Sequence, residues 1–268
     1  MLSEPQQPVP SGCALALLAA GVVAEPGHAD RLTRREAEHL SGLGHPRVRR
    51  RWLAGRLAAK SLLLSGRTGL DVLDVLDVLD GESLRAFPAA RYREIELLPA
   101  ATGAPRLTRH GREVPARVSI SHGGGLSCAA LAAADAATGI DLETVAPRVE
   151  AFYRGNFTPG ERRWAEDGAR ATALSRDWLY TFLWTLKEAA FKSGATAVEG
   201  VWGFAGLEIR LPAGLAERLE ASRRPALGER FAVFETLVCA AQRRTLARIE
   251  TTSTPDVVLS LFTAGASR

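Results

Sequence analysis

Twice along this chain an apolar strand gives way to helices and then to further strands, and that repeated order constrains the fold more than any single motif. The first round starts at residues 13–24 and passes through helices over 31–43 and 46–65. It ends in strands over 93–97, 118–121 and 126–134. The second starts at 140–143, continues through helical stretches over 148–166 and 177–193, and ends in alternating segments at 206–210, 230–237 and 246–251, with a helix over 213–222 after the first of these. Helices and strands segregated in this way indicate an α+β class, not a parallel α/β array. Residues 1–12, with three prolines and two glutamines, read as a disordered tail. Residues 71–80 repeat Asp-Val-Leu, and a three-residue period drifts around an α-helix, so an acidic linker or a short irregular helix is expected there.

With 268 residues the chain has room for one large domain or two small ones. The apolar run at 13–24 is about half the roughly 20 residues a membrane span needs, and no basic start precedes it, so neither a span nor a signal peptide is expected. Cys13, Cys128 and Cys239 are too few and scattered for a disulfide framework or a zinc site; each is expected buried and reduced, which suits the cytoplasm. The net charge of +4 and pI near 9.3 favour an anionic partner: a phosphorylated cofactor, an acidic protein or nucleic acid.

Three clusters are candidates for chemistry. In the helix over 177–193, Leu179, Leu183, Leu186 and Ala190 form an apolar stripe, while Trp184, Glu188 and Lys192 share the opposite side at i, i+4, i+8. That polar side suits a metal plus phosphate, or is a solvated face. Trp184 and Phe191 either contact a ligand or fill core. Asp141 and Glu143 sit two apart in a strand and project together, with Ile140 and Leu142 facing the core. Paired carboxylates of this kind suit a hard cation such as Mg²⁺ or a solvent-facing strand edge. His122 precedes Gly123, Gly124 and Gly125, which supply either an anion-binding nest with an imidazolium beside it or a flexible hairpin turn. Arg47, Arg49, Arg50, Arg51, Arg56 and Lys60 crowd the helix over 46–65, with only Trp52 as an interleaved aromatic, so a stacking platform for single strands is not supported.

In order, the chain carries Gly55-Arg56 in its basic helix, Gly103-Ala104-Pro105, Ser119-Ile120-Ser121-His122, Gly139-Ile140-Asp141-Leu142-Glu143 and Trp-x-x-Lys-Glu-Ala-x-x-Lys from Trp184 to Lys192. This order and spacing closely resemble the 4′-phosphopantetheinyl transferases of the surfactin-synthetase-activating type, over roughly residues 45–200. The resemblance implies two similar α+β subdomains, 13–137 and 138–268, related by a pseudo-twofold with the active site between them. It implies transfer of the phosphopantetheine arm of coenzyme A to a serine of an apo acyl or peptidyl carrier protein with release of 3′,5′-ADP, the holo-[acyl-carrier-protein] synthase reaction of fatty-acid, polyketide or nonribosomal-peptide systems. On that reading Asp141, Glu143 and Glu188 resemble ligands of Mg²⁺, or of Mn²⁺ in its place. Glu188, Lys192 and Asp141 are the catalytic candidates. Lys187 and Lys192 resemble the lysines near the pyrophosphate, and Ser121 and His122 the pair that meets the 3′-phosphate, helped by Arg51 and Arg56. A basic residue is common where Ala104 stands; Arg106 or the basic helix is the expected substitute. A chain with two such halves is expected to act as a cytoplasmic monomer that binds neither membrane nor nucleic acid.

The rival from another class is a non-catalytic module that binds an acidic partner, a carrier protein or nucleic acid, through the Arg-rich helix. It accounts for the pI but leaves Asp141, Glu143 and Glu188 without a role, and carboxylates repel a phosphate backbone unless metal is present. A metal-dependent nuclease would use the carboxylates but not Ser-x-Ser-His. A salt-dependent gel shift on generic DNA separates these readings.

Overall fold

The computed structural model describes residues 13–24, 28–65, 76–195, 203–223, 232–240 and 243–264; the expected tail lies outside them. The first elements are β1 (Cys13–Ala19), α1 (Arg34–Gly42), α2 (Pro46–Leu64), β2 (Leu76–Leu79), α3 (Gly81–Arg85), α4 (Ala89–Arg93), β3 (Ile95–Pro99), β4 (Pro105–Arg109), β5 (Arg112–Glu113), β6 (Ala116–Gly123) and β7 (Leu126–Ala133). There follow β8 (Ala137–Thr144), α5 (Glu150–Asn156), α6 (Pro159–Ala171), α7 (Arg176–Lys192), β9 (Leu207–Arg210), α8 (Leu215–Ser222), β10 (Ala232–Ala240), β11 (Arg243–Ser253) and β12 (Val257–Ala264). The class is α+β. One sheet runs β2-β1-β7-β6, a second β8-β12-β11-β10-β9, and a small third β3-β4-β5.

The period-2 alternation of the strands builds layers. In β1 and β7, Ala16, Leu18, Ala129 and Leu131 face α2, packing with Leu53, Leu57 and Leu62. Their neighbours Leu15, Leu17, Cys128 and Ala130 face the other sheet, where they meet Ile140, Leu142, Leu259 and Leu261. The opposite sides of β8 and β12, through Ala137, Val258, Phe262 and Ala264, pack with α7. The order is therefore helix, sheet, sheet, helix. Among the described residues every strand after residue 136 belongs to the five-stranded sheet.

Three departures from the sequence reading have physical causes. Residues 76–79 form β2, parallel to β1 with Leu15 opposite Leu76, where a linker or irregular helix is expected; residues 71–75 lie outside the described part. Pairing along a free sheet edge overrides a weak local pattern. Strand β12 has no counterpart in the sequence reading, because it lies between β8 and β11 and is buried on both faces, so it reads as a continuous apolar run. In helix α7 burial extends beyond the expected apolar stripe: Trp178 to Thr181, Phe182, Leu183, Thr185, Leu186, Lys187, Ala189 and Ala190 are all buried, since α6 also packs on it, while Trp184, Glu188 and Lys192 stay half-buried. Cys13 and Cys128 are buried and Cys239 is half-buried; all three are free thiols.

Candidate active site

The C-terminal end of α7 lies on the middle of β8 because Gly139 permits it. A Cβ at Gly139 would stand 2.0 Å from the Ala189 carbonyl oxygen and 2.6 Å from the Ser193 nitrogen. This approach lets Lys192 Nζ donate to Asp141 Oδ1 at 2.5 Å and to Ser121 Oγ at 3.1 Å. Ser121 Oγ also donates to Asp141 Oδ1 at 2.7 Å. Asp141 is 2% exposed, and its Oδ2 is buried with no hydrogen-bond partner among the described residues. Burial works against the Lys192 charge, but Asp141 and Glu188 outweigh it and raise its pKa. Glu188 is half-buried, and burial, with Asp141 and Glu143 nearby, lifts its carboxyl above the usual range against the pull of Lys192. Glu143 is lifted in the same way, by burial and then by Asp141, while Arg148 Nη2 at 3.3 Å opposes the shift.

Asp141, Glu143 and Glu188 thus share one negative region between β8 and α7. Among the described residues, however, no three His, Cys, Asp or Glu side chains are gathered into a ready metal cluster. Lys192 holds one oxygen of Asp141, and Arg148 holds Glu143. The donor type still suits an oxygen-ligated ion: an orphaned buried carboxylate oxygen beside two carboxyls that resist ionising is relieved by a cation.

The second side of the site comes from α2 and β6, held next to β8. Ile140 N donates to Ser119 Oγ at 3.0 Å, and Gly123 lies so close to β8 that a Cβ would stand 2.4 Å from the Leu142 carbonyl oxygen. Gly55 does the same for α2, since a Cβ there would meet His122 Cε1 and Ile120 Cγ2, each at 2.7 Å. His122 Nδ1 is 2.9 Å from Ser127 Oγ, whose hydroxyl donates to the Arg51 carbonyl at 3.2 Å. With its one proton so placed, Ser127 accepts from Nδ1–H. Burial, then Arg56, Lys192 and Arg51, bring His122 down to about 4. The imidazolium expected from the sequence is therefore not its resting form at neutral pH. Arg56, 8% exposed, lies 4.1 Å over the Trp52 ring, with Nε buried and without a hydrogen-bond partner among the described residues. Burial lowers its pKa to about 10, against Glu36, so it stays cationic. Exposed Arg47, Arg50 and Arg51 line an open cavity together with Ala20, Gly21 and Gly125.

Several expectations are corrected. Lys187 is not at the phosphate side: it is fully buried and donates to the carbonyls of Phe204 (2.8 Å) and Leu207 (2.6 Å), and it pairs with Glu161 at 2.8 Å. Adjacent helix residues point about 100° apart, so Lys187 and Glu188 serve different faces. Of the two readings of the glycine triplet, the structure has the hairpin turn: Gly123 ends β6, while Gly124 and Gly125, both at positive φ, make a two-residue turn to β7. Gly103, at φ 83°, turns the β3–β4 hairpin, and nearby Arg106 is engaged with Glu113 at 3.5 Å. Trp184 packs with Phe152 and Phe204, while Phe191 is 47% exposed. Sequence reasoning missed Arg117, which donates to Ala134 O and Ser193 O and so ties the end of α7 to the β7–β8 turn; an arginine in an edge strand carries no local signal of that role.

Residues 137–226 match the family model described as the 4′-phosphopantetheinyl transferase superfamily. The matched stretch begins with β8 and contains Asp141, Glu143, Lys187, Glu188 and Lys192, but not Arg51, Arg56, Ser121 or His122. No curated protein matches the chain. Among the described residues no helix is long and apolar enough to cross a membrane.

Proposed function

Starting from a phosphopantetheinyl transferase domain at residues 137–226, we propose that the whole chain moves the 4′-phosphopantetheine arm of coenzyme A to a serine of an apo carrier protein. The observation that carries this is the shared network of Asp141, Ser121 and Lys192, in which β8, β6 and α7 meet beside two further carboxylates. The carrier serine oxygen attacks the β-phosphorus, the bond from that phosphorus to the bridging oxygen breaks, and 3′,5′-ADP leaves. Glu188, whose environment raises its basicity, takes the serine proton. Lys192 balances charge on the phosphates, and Arg56 and Arg51 offer cations to the 3′-phosphate. His122 joins them once it gains a proton from the medium or the ligand. Held by Asp141, Glu143 and Glu188, Mg²⁺, or Mn²⁺ in its place, would supply further positive charge at the pyrophosphate.

The site draws on residues from both sides of residue 137 in one chain, so we read the halves as 13–137 and 138–268 and the working unit as a monomer. Incubation with coenzyme A, Mg²⁺ and a panel of apo carrier proteins, followed by intact-mass measurement, tests the reading. Gain of one phosphopantetheine, lost with EDTA, is the expected result. No gain on any carrier, together with a salt-sensitive shift of generic DNA, would replace it with nucleic-acid binding.

A further inference from the structure

Among the described residues two fully buried ion pairs lie outside the site, and they repeat one arrangement part by part. Thr33 caps α1 with a capping box to Glu36; Thr158 caps α6 with a capping box to Glu161. Glu36 Oε1 accepts from Leu97 N of β3 at 2.9 Å, and Glu161 Oε1 from Ile209 N of β9 at 2.9 Å. Glu36 Oε2 accepts from Lys60 Nζ of α2 at 2.5 Å, and Glu161 Oε2 pairs with Lys187 Nζ of α7 at 2.8 Å. Each lysine then spends further protons on nearby backbone carbonyls: Arg31 for Lys60, Phe204 and Leu207 for Lys187.

Stability alone gives little reason for this. A buried pair exchanged for apolar residues is often no less stable, whereas a pair that loses one partner is strongly destabilised. What each pair does achieve is geometric. Each joins a cap, a long helix and a strand further along the chain, β3 for α2 and β9 for α7, and so sets the rotation of the long helix about its own axis. In α2, Lys60 is one turn from Arg56, and Glu36 is the buried counter-charge felt by both. In α7, Lys187 immediately precedes Glu188 and lies little more than a turn from Lys192.

We propose that the two buried pairs are positioning residues for opposite ends of the site: Glu36–Lys60 aims Arg56 at the nucleotide end of coenzyme A, and Glu161–Lys187 aims Glu188 and Lys192 at the reacting phosphates. The proposal rests on the transferase reading above. It makes Lys187 indispensable without any contact to substrate.

The test compares two charge-neutral double variants, Glu36→Gln/Lys60→Met and Glu161→Gln/Lys187→Met, with the parent protein. Coenzyme A affinity is read by calorimetry and transfer by carrier mass. The first variant is expected to weaken coenzyme A binding and raise its KM about tenfold, with kcat within about twofold. The second is expected to lower kcat at least about tenfold, with coenzyme A affinity within about twofold. Folded variants that change both parameters alike, or neither, overturn the proposal. Should a double variant fail to fold, Thr33→Val and Thr158→Val loosen each glutamate more mildly and should give the same split at smaller amplitude. A parent that binds no coenzyme A and modifies no carrier overturns the transferase reading instead. The His122 imidazole titration, followed by NMR, then judges the α2 lock: it moves in the first variant if the proposal holds, and is unmoved there if it does not.

Discussion

His122 and Glu188 are both held away from their charged forms, and the two predict opposite responses to acid. The His122 pKa, about 4, lies below its ordinary 6.5, so the neutral ring contributes stability above pH 6.5 that is lost as pH falls toward 4. Thermal unfolding of the metal-free protein should show that loss, and His122→Gln should reduce it. Binding runs the other way. A dianionic 3′-phosphate raises the His122 pKa, so coenzyme A should bind more tightly as pH falls below neutral, with proton uptake seen by calorimetry in buffers of different ionisation enthalpy. Glu188 has a raised pKa; any stability it contributes is present below the ordinary carboxylate range and lost as pH rises through the raised value. At pH 7.5 with EDTA, Glu188→Gln should therefore melt no lower than the parent. Its transfer rate should fall by orders of magnitude while coenzyme A binding persists; near-normal transfer would remove Glu188 from the chemistry.

At the scale of elements, the site depends on close approaches that only glycine allows. Gly139→Ala places a methyl group against the backbone of α7, which has no side chain there to swing away. The strand and helix must separate, at a cost of about 1–3 kcal/mol typical of overpacking, and the 2.5 Å contact between Lys192 and Asp141 opens with them. Denaturant unfolding and carrier mass should show both losses in the one variant; a stable, active Gly139→Ala would mean that the β8–α7 spacing is not critical. Gly155, by contrast, has nothing within 4 Å of its missing Cβ among the described residues, and Gly155→Ala is the control expected to leave transfer unchanged.

For the molecule as a whole, the layer between the two large sheets couples the parts that carry the two sides of the site. Ile140, Leu142, Leu259 and Leu261 meet Leu15, Leu17, Cys128 and Ala130 there, all essentially inaccessible to solvent. Unfolding should accordingly be one cooperative transition, and Ile140→Ala should lower its free energy by about 2–5 kcal/mol without splitting it. Two resolved transitions in calorimetry would show that the halves fold separately. Much of this was legible beforehand. Period and spacing determined the class, the helix over 177–193, and the pairing of Asp141 with Glu143, because those follow from side-chain geometry within one element. The chain alone could not say which side of a buried helix meets the site. Lys187 and Lys192 are both lysines of one motif, yet packing against α6 buries the first on Glu161 and leaves the second on Asp141. Nor could it reveal β12, whose two-sided burial erases alternation, or the resting charge of His122, which burial and three cations from α2 and α7 decide. Local pattern determines what an element is, whereas charge state and contact depend on neighbours distant in sequence that only the tertiary fold brings near.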